Sequence, residues 1–278
     1  MSSYSLFSKN GHLLPIDQAS VSLYSIEYSY GFGVYETLRV RDRIPYFLAA
    51  HAERLMHSAS IIGLEHTFAQ QFIASSVNEL VDAFAIHDAY NIKILLIGGK
   101  TPEQAELFIL PSAPLFADRK LYRDGVSAST VLYERMFPQA KTLNMLGSYL
   151  AYRKAKQAGC YDALLINHDG FILEGTRSNF FLIKDMTVVS PPADRILEGV
   201  TRMALVQLLE KHNYTYKEAL VSPSELHSYD GAFFTNTSSG IMPIRRIDSH
   251  AFAGIPEPLH QLIAHYEQWK KDSGGILK

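Results

Sequence analysis

Three short stretches carry groups able to do chemistry on a small molecule. Lys141 stands after a turn around Met136–Ala140 and before a helix from about Leu146, so its amine sits at a junction between elements. Glu174 follows a strand at Phe171–Leu173 and offers a carboxylate at the strand's end. Gly199-Val200-Thr201 opens a helix over Arg202–His212. The first N–H groups of a helix have no partner within it and attract an anion, to which a threonine hydroxyl adds a donor. Other constellations are missing. Gly31-Phe32-Gly33 lacks the third glycine of a dinucleotide fingerprint and runs into a strand where a helix is required. There is no P-loop, no His-Glu-x-x-His and no Gly-x-Ser-x-Gly. The 11 histidines show no ligand spacing; His51 and His57 fall on different faces of one helix, so no metal is expected.

These groups need a scaffold. The chain has 278 residues, long for one core and comfortable for two. With 47% hydrophobic and 19% charged residues it reads as an ordinary globular protein. A net charge of -2, with no basic run, gives no electrostatic case for nucleic acid or an anionic membrane. The single cysteine, Cys160, excludes an intrachain disulfide and a cysteine-built metal site. Met1-Ser2-Ser3-Tyr4 shows no leader, and no apolar run approaches the roughly 20 residues of a membrane helix. A cytoplasmic protein is expected.

Asn10-Gly11 supplies the positive φ angles of a hairpin between Tyr4–Phe7 and His12–Ile16. A second hairpin joins Val34–Val40 to Ile44–Phe47. Helices follow over Ala49–Ile62 and along Phe68, Phe72, Leu80 and Phe84, then paired strands at Ile92–Ile97 and Ala105–Leu110. Pro111-Ser112-Ala113-Pro114 breaks the pattern. Beyond it come a strand at Val126–Tyr133, a helix over Leu146–Ala158 stopped by Gly159, and strands at Ala163–Asn167, Phe171–Leu173, Asn179–Ile183 and Thr187–Ser190. The helix at Arg202–His212, a strand at Gly231–Thr235 and a helix at Leu259–Lys270 complete the chain. This predicts an α/β (α+β) protein: an N-terminal α/β domain over 1–113, a linker at 114–120 and a C-terminal α/β domain over 121–278 that carries Lys141.

Six blocks, in order, resemble the class IV aminotransferases. They are Tyr30-Gly31-Phe32-Gly33-Val34-Tyr35-Glu36-Thr37-Leu38-Arg39-Val40; His51-Ala52-Glu53-Arg54-Leu55 with Ser58-Ala59; Lys141-Thr142-Leu143-Asn144; Gly159–Ala163 with Glu174-Gly175-Thr176-Arg177-Ser178-Asn179-Phe180-Phe181; Ile196-Leu197-Glu198-Gly199-Val200-Thr201-Arg202; and Thr235-Asn236-Thr237-Ser238 with Pro243. The resemblance implies a two-domain fold-type IV enzyme like the D-amino-acid aminotransferases, a homodimer, with pyridoxal 5'-phosphate (PLP) between its domains.

It further implies roles for residues. Lys141 holds PLP as a Schiff base, and Glu174 faces the pyridine nitrogen, where a carboxylate favours the protonated, electron-withdrawing ring. Arg54, Val200, Thr201 and Thr237 take the phosphate. Tyr35, Arg177 and Ser238 face the substrate. Taken singly, each has a plainer reading: Lys141 a surface lysine, Glu174 a surface carboxylate, Thr201 a helix cap, Arg54 an exposed helix residue, Tyr35 core, Arg177 an exposed loop residue.

Departures narrow the substrate. Phe32 replaces the acidic residue the family often shows, and Met145 stands where branched-chain enzymes carry a tyrosine. The loop Gly98-Gly99-Lys100-Thr101-Pro102 lacks the Arg-x-His pair of the best-known D-amino-acid enzymes. Arg177 resembles a less common group of D-amino-acid transaminases. Thr37 stands where 4-amino-4-deoxychorismate lyases place a threonine thought to move protons. Transamination of a small α-amino acid therefore leads. Release of pyruvate and 4-aminobenzoate from aminodeoxychorismate is the alternative, and PLP binding without catalysis a remote third.

Overall fold

The computed structural model describes residues 4–84, 86, 88–114 and 117–272. The chain forms two compact units, one from the described residues of 4–114 with Ala140–Asn144, the other from 117–139 and Met145–Asp272. Of the expected linker at 114–120, residues 115 and 116 lie outside the described residues.

The first unit contains β1 (Leu6–Lys9), β2 (His12–Pro15), α1 (Ile26–Ser29), β3 (Gly33–Arg41), β4 (Ile44–Pro45), α2 (Leu48–Ile61), α3 (Gln70–Asp82), β5 (Tyr90–Ile97) and β6 (Glu106–Ser112). Its sheet runs β2-β1-β6-β5-β3-β4 with antiparallel neighbours throughout. Asn10 and Gly11 both take positive φ in the first hairpin, as the Asn-Gly pair requires. Strand alternation splits β3: Val34, Glu36, Leu38 and Val40 are buried, while Tyr35, Thr37 and Arg39 alternate with them and are only partly covered. Val34, Leu38 and Val40 join Leu55 and Ala59 of α2, Ile73, Val77 and Leu80 of α3, and Ile92, Ile94 and Leu96 of β5 in one core. Trimming one such leucine to alanine costs about 2–5 kcal/mol.

Two expectations shift. The buried face of α3 is Ile73, Val77, Leu80 and Val81; Phe72 is 39% exposed and packs on Phe68 and on Gly11. Pro111 and Ser112 do not break the chain but end β6, opposite Ile92 and Asn91. β1 pairs with β6 only at Phe108 and Ile109, so that side of the strand's end is open and a proline's missing N–H loses no ladder bond there.

The second unit contains α4 (Arg119–Asp124), β7 (Val126–Leu132), α5 (Leu146–Gln157), β8 (Asp162–Ile166), β9 (Ile172–Gly175), β10 (Asn179–Lys184), β11 (Thr187–Ser190), α6 (Val200–Lys211), β12 (Thr215–Glu218), β13 (Gly231–Asn236), β14 (Gly240–Ile247), β15 (His250–Ala251) and α7 (Glu257–Asp272). The order is β12-β11-β10-β13-β14-β7-β8-β9, and β9 pairs back onto β10, so the sheet closes on itself. Parallel neighbours need long crossovers: α5 lies between β7 and β8, and α6 between β11 and β12. Phe180, Leu182, Phe234, Leu164, Ile172, Met242 and Ile244 share one core; by alternation Phe181 and Phe233 point the other way and stack at 5.0 Å. β12 and β14 were not expected. β14 carries Pro243, which pairs opposite Phe233.

Candidate active site

The lysine segment, expected within the C-terminal domain, groups with the first unit because its backbone runs along β3. Thr142 bridges Val34. The Tyr35 N–H donates to the Lys141 carbonyl at 2.9 Å, and the Leu143 N–H to the Gly33 carbonyl at 2.8 Å. The Lys141 N–H donates to Ser58 Oγ on α2 at 3.1 Å. These bonds fix the backbone on both sides of the lysine and aim its amine over the Tyr35 ring, Nζ lying 4.5 Å from the ring centroid. Lys93, paired across from Thr37, approaches the same ring at 5.4 Å. Tyr35, Thr37, Lys93 and Lys141 therefore share one neighbourhood, away from the helix-packed face of the sheet.

Arg54 has a partner that local reading missed. Glu36 is fully buried in the apolar row of β3, and both its oxygens are taken. Arg54 Nε donates to Oε1 at 2.6 Å, Arg54 Nη2 to Oε2 at 2.7 Å, and His51 Nδ1 lies 2.7 Å from Oε2. Burial alone would raise the Glu36 carboxyl, but the Arg54 charge and the His51 bond outweigh it and hold it far below the usual carboxylate range. Burial likewise pushes the His51 imidazole below its ordinary value, against the pull of Glu36. A neutral His51 then donates from Nδ1, leaving Nε2 as a buried acceptor without a partner among the described residues. This triad anchors Arg54 in one orientation.

In the second unit Glu174 lies within β9 rather than beyond its end, directly opposite Asn179 on β10. Arg135 Nε donates to Glu174 Oε1 at 2.7 Å, and the Leu197 N–H to Oε2 at 3.2 Å. Arg135 also donates to the Pro138 carbonyl, which fixes the arginine in turn. With Arg135 beside it and 8% of its side chain exposed, Glu174 is a positioned carboxylate. Leu197 leads into α6, whose N-cap is Gly199, a residue with no side chain to cap the helix, and Val200 and Thr201 are buried at its start.

The remaining predicted residues divide. Thr237 and Ser238 sit in the turn after β13, where Asn236 Oδ1 accepts from the N–H groups of Ser238 at 2.9 Å and Ser239 at 2.7 Å. Arg177 is exposed, its guanidinium 4.1 Å above the Tyr152 ring. Asp162 holds the turn that carries Arg177, accepting from Thr176 Oγ1 at 2.5 Å and Ser178 Oγ at 3.1 Å. Burial raises the Asp162 carboxyl, partly offset by the Thr176 bond and the Arg177 charge.

Sequence reasoning passed over Glu36, His51, Arg135 and Asn179 as working residues. Only Glu36 left a signal, a carboxylate at a core position of an alternating strand. Among the described residues no three His, Cys, Asp or Glu side chains gather as metal ligands, and no helix is long and apolar enough to cross a membrane.

The model of the amino-transferase class IV family matches residues 33–247. A D-alanine aminotransferase of Bacillus licheniformis is 32% identical over 90% of this chain and 91% of its own length. A branched-chain aminotransferase of Thermoproteus uzoniensis, solved with norvaline, superposes with a TM-score of 0.86 at 27% identity, covering 97% of this chain and 95% of that one. A branched-chain aminotransferase of Thermobaculum terrenum, solved in its PLP form, gives 0.84 at 25% identity over 98% of this chain and 95% of that one.

Proposed function

The chain belongs to the class IV aminotransferase family and is a PLP-dependent aminotransferase, and from that premise we propose that it moves the amino group of a small α-amino acid onto an α-keto acid, with Lys141 as the covalent anchor of the cofactor. The residues present fit PLP. Lys141 offers an amine held over an aromatic ring, Glu174 a positioned carboxylate, and α6 a helix start whose N-cap glycine has no side chain of its own. The observation that carries the reading is the Leu197 peptide, which links Glu174 to that helix start: the acid for a pyridine nitrogen and the donors for a phosphate hang on one short tether.

In this reading Glu174 partners the ring nitrogen. Val200, Thr201, Thr237 and Arg54 hold the phosphate. Tyr35, Arg177 and Ser238 face the substrate, and Thr37 borders it. Bound PLP supplies the electron sink that makes the substrate's α-proton removable. Lys141 Nζ is the base that takes that proton and redelivers it. The division at 114–120, a cytoplasmic location and a homodimer belong to the same proposal. Leu23, Tyr24 and Tyr30 are 93%, 97% and 82% exposed in the first unit, an apolar surface that suits a second copy. The relatives reported above are aminotransferases, which favours transamination over the lyase that Thr37 suggests.

The test combines spectroscopy with mapping. Purified protein is incubated with D- and L-amino acids, and its visible absorption is followed with and without an α-keto acid. Conversion by one hand of a small amino acid, reversed by the keto acid, is expected. Borohydride reduction and digestion should place the pyridoxyl group on Lys141; a label on another lysine, or turnover that needs no acceptor, overturns the proposal.

A further inference from the structure

We propose that Asn179 is a positioning residue that sets the anion-binding start of α6, an inference that rests on the reading above. Backbone amides form a cradle only if the chain entering the helix is fixed, since each N–H points where its peptide plane points. The N-cap residue of α6 is Gly199, which has no side chain to cap it, so the chain entering the helix is fixed by other residues. The backbone of Leu197 does this. Its N–H donates to Glu174 Oε2 at 3.2 Å, and its carbonyl accepts from Asn179 Nδ2 at 2.6 Å. The two peptide groups that flank the Leu197 Cα are thus each held, one through its N–H and the other through its carbonyl, by two residues that face each other across β9 and β10.

The same side chain reaches Gly199. A Cβ on Gly199 would fall on Asn179 Oδ1, so the amide and the N-cap residue are in direct contact, and only glycine lets them meet. Asn179 is buried, at 4% exposure, so the amide is locked between Leu197 and Gly199. The choice of amide over acid follows. An aspartate would set a carboxylate oxygen against the Leu197 carbonyl, two acceptors with no proton between them, and would add negative charge beside a site for an anion. Asn179 therefore tunes the phosphate end of the cofactor, whereas Arg135 and Glu174 act at its ring.

The test separates those ends. Dissociation constants for PLP and for pyridoxal, which lacks the phosphate, are measured on apoprotein of the full chain for the wild type, Asn179→Ala and Gly199→Ala. Wild type should prefer PLP. Asn179→Ala should weaken PLP by about tenfold, the scale of one hydrogen bond to a charged group, and leave pyridoxal unchanged. Gly199→Ala, which forces the same contact apart from the other side, should do likewise and decides the matter if Asn179→Ala does not fold. A preference for PLP that is undiminished in the variants, or a parallel loss of both ligands, overturns the role of Asn179. A wild type without any preference overturns the phosphate cradle itself, and the role of Asn179 with it.

Discussion

Arg54→Ala should destabilise the cofactor-free protein in a way that depends on pH. In the wild type Glu36 is fully buried as a carboxylate, with Arg54 at 2.6 and 2.7 Å and His51 at 2.7 Å. Removing the arginine leaves a buried anion with one remaining donor, and breaking such a pair costs about 3–5 kcal/mol. The orphan has an escape: it can take up a proton. From an ordinary value of 4.5, protonation at pH 7 costs about 3.4 kcal/mol, and at pH 5 only about 0.7 kcal/mol. The loss at pH 7 is thus capped near the lower figure for a broken pair. At roughly 2–4 °C per kcal/mol it lowers the melting temperature by about 7–14 °C, and by only about 1–3 °C at pH 5. Melting should be followed by circular dichroism without PLP, because a ligand that binds only the folded state would hide the effect. Glu36→Gln in the Arg54→Ala background removes the orphan charge and should recover much of the loss at pH 7. An Arg54→Ala protein that melts within about 3 °C of wild type at pH 7, or loses as much at pH 5, or gains nothing from Glu36→Gln, would refute the electrostatic argument.

Further outcomes follow from the same geometry. Glu174→Gln should keep PLP bound but lower turnover by on the order of a hundredfold, since a neutral amide cannot hold a ring nitrogen protonated; near-wild-type rates would move Glu174 away from that nitrogen. Arg177→Ala should raise the amino-acid KM by about tenfold to a hundredfold, the range of a hydrogen bond to a charged carboxylate, while Thr37→Val changes turnover little; steady-state kinetics on both variants read this directly. His51 is held neutral when folded, with its pKa below the ordinary 6.5, so below pH 6.5 the unfolded chain binds a proton that the folded one refuses. Its contribution to stability is therefore lost as pH falls through 6.5. His51→Asn, which can still donate to Glu36, should show a shallower fall in melting temperature between pH 6.5 and 5, and equal slopes would count against a neutral imidazole.

Much here follows from sequence because it is local. Asn10-Gly11 makes its turn where its backbone preference puts it, Gly159 ends α5 by taking φ 73, and the spacing of Ala52, Leu55 and Ala59 puts one face of α2 into the core. Lys141, Glu174 and the opening of α6 stand out as chemical types, although Glu174 falls inside β9 and not past the strand's end. Their partners do not. Glu36 meets Arg54 18 residues on, Arg135 meets Glu174 39 residues on, and Glu174 meets Leu197 23 residues on, with turns, strands and helices between. Whether Phe72 or Ile73 faces the core, and that Pro243 sits inside a strand, depend on what packs alongside. Propensity and spacing act over a few residues. A buried carboxylate or a pinned peptide is defined by groups brought beside it through the whole fold, and that is why the chemical types were legible in the chain while the tethers that aim them were set only by the tertiary structure.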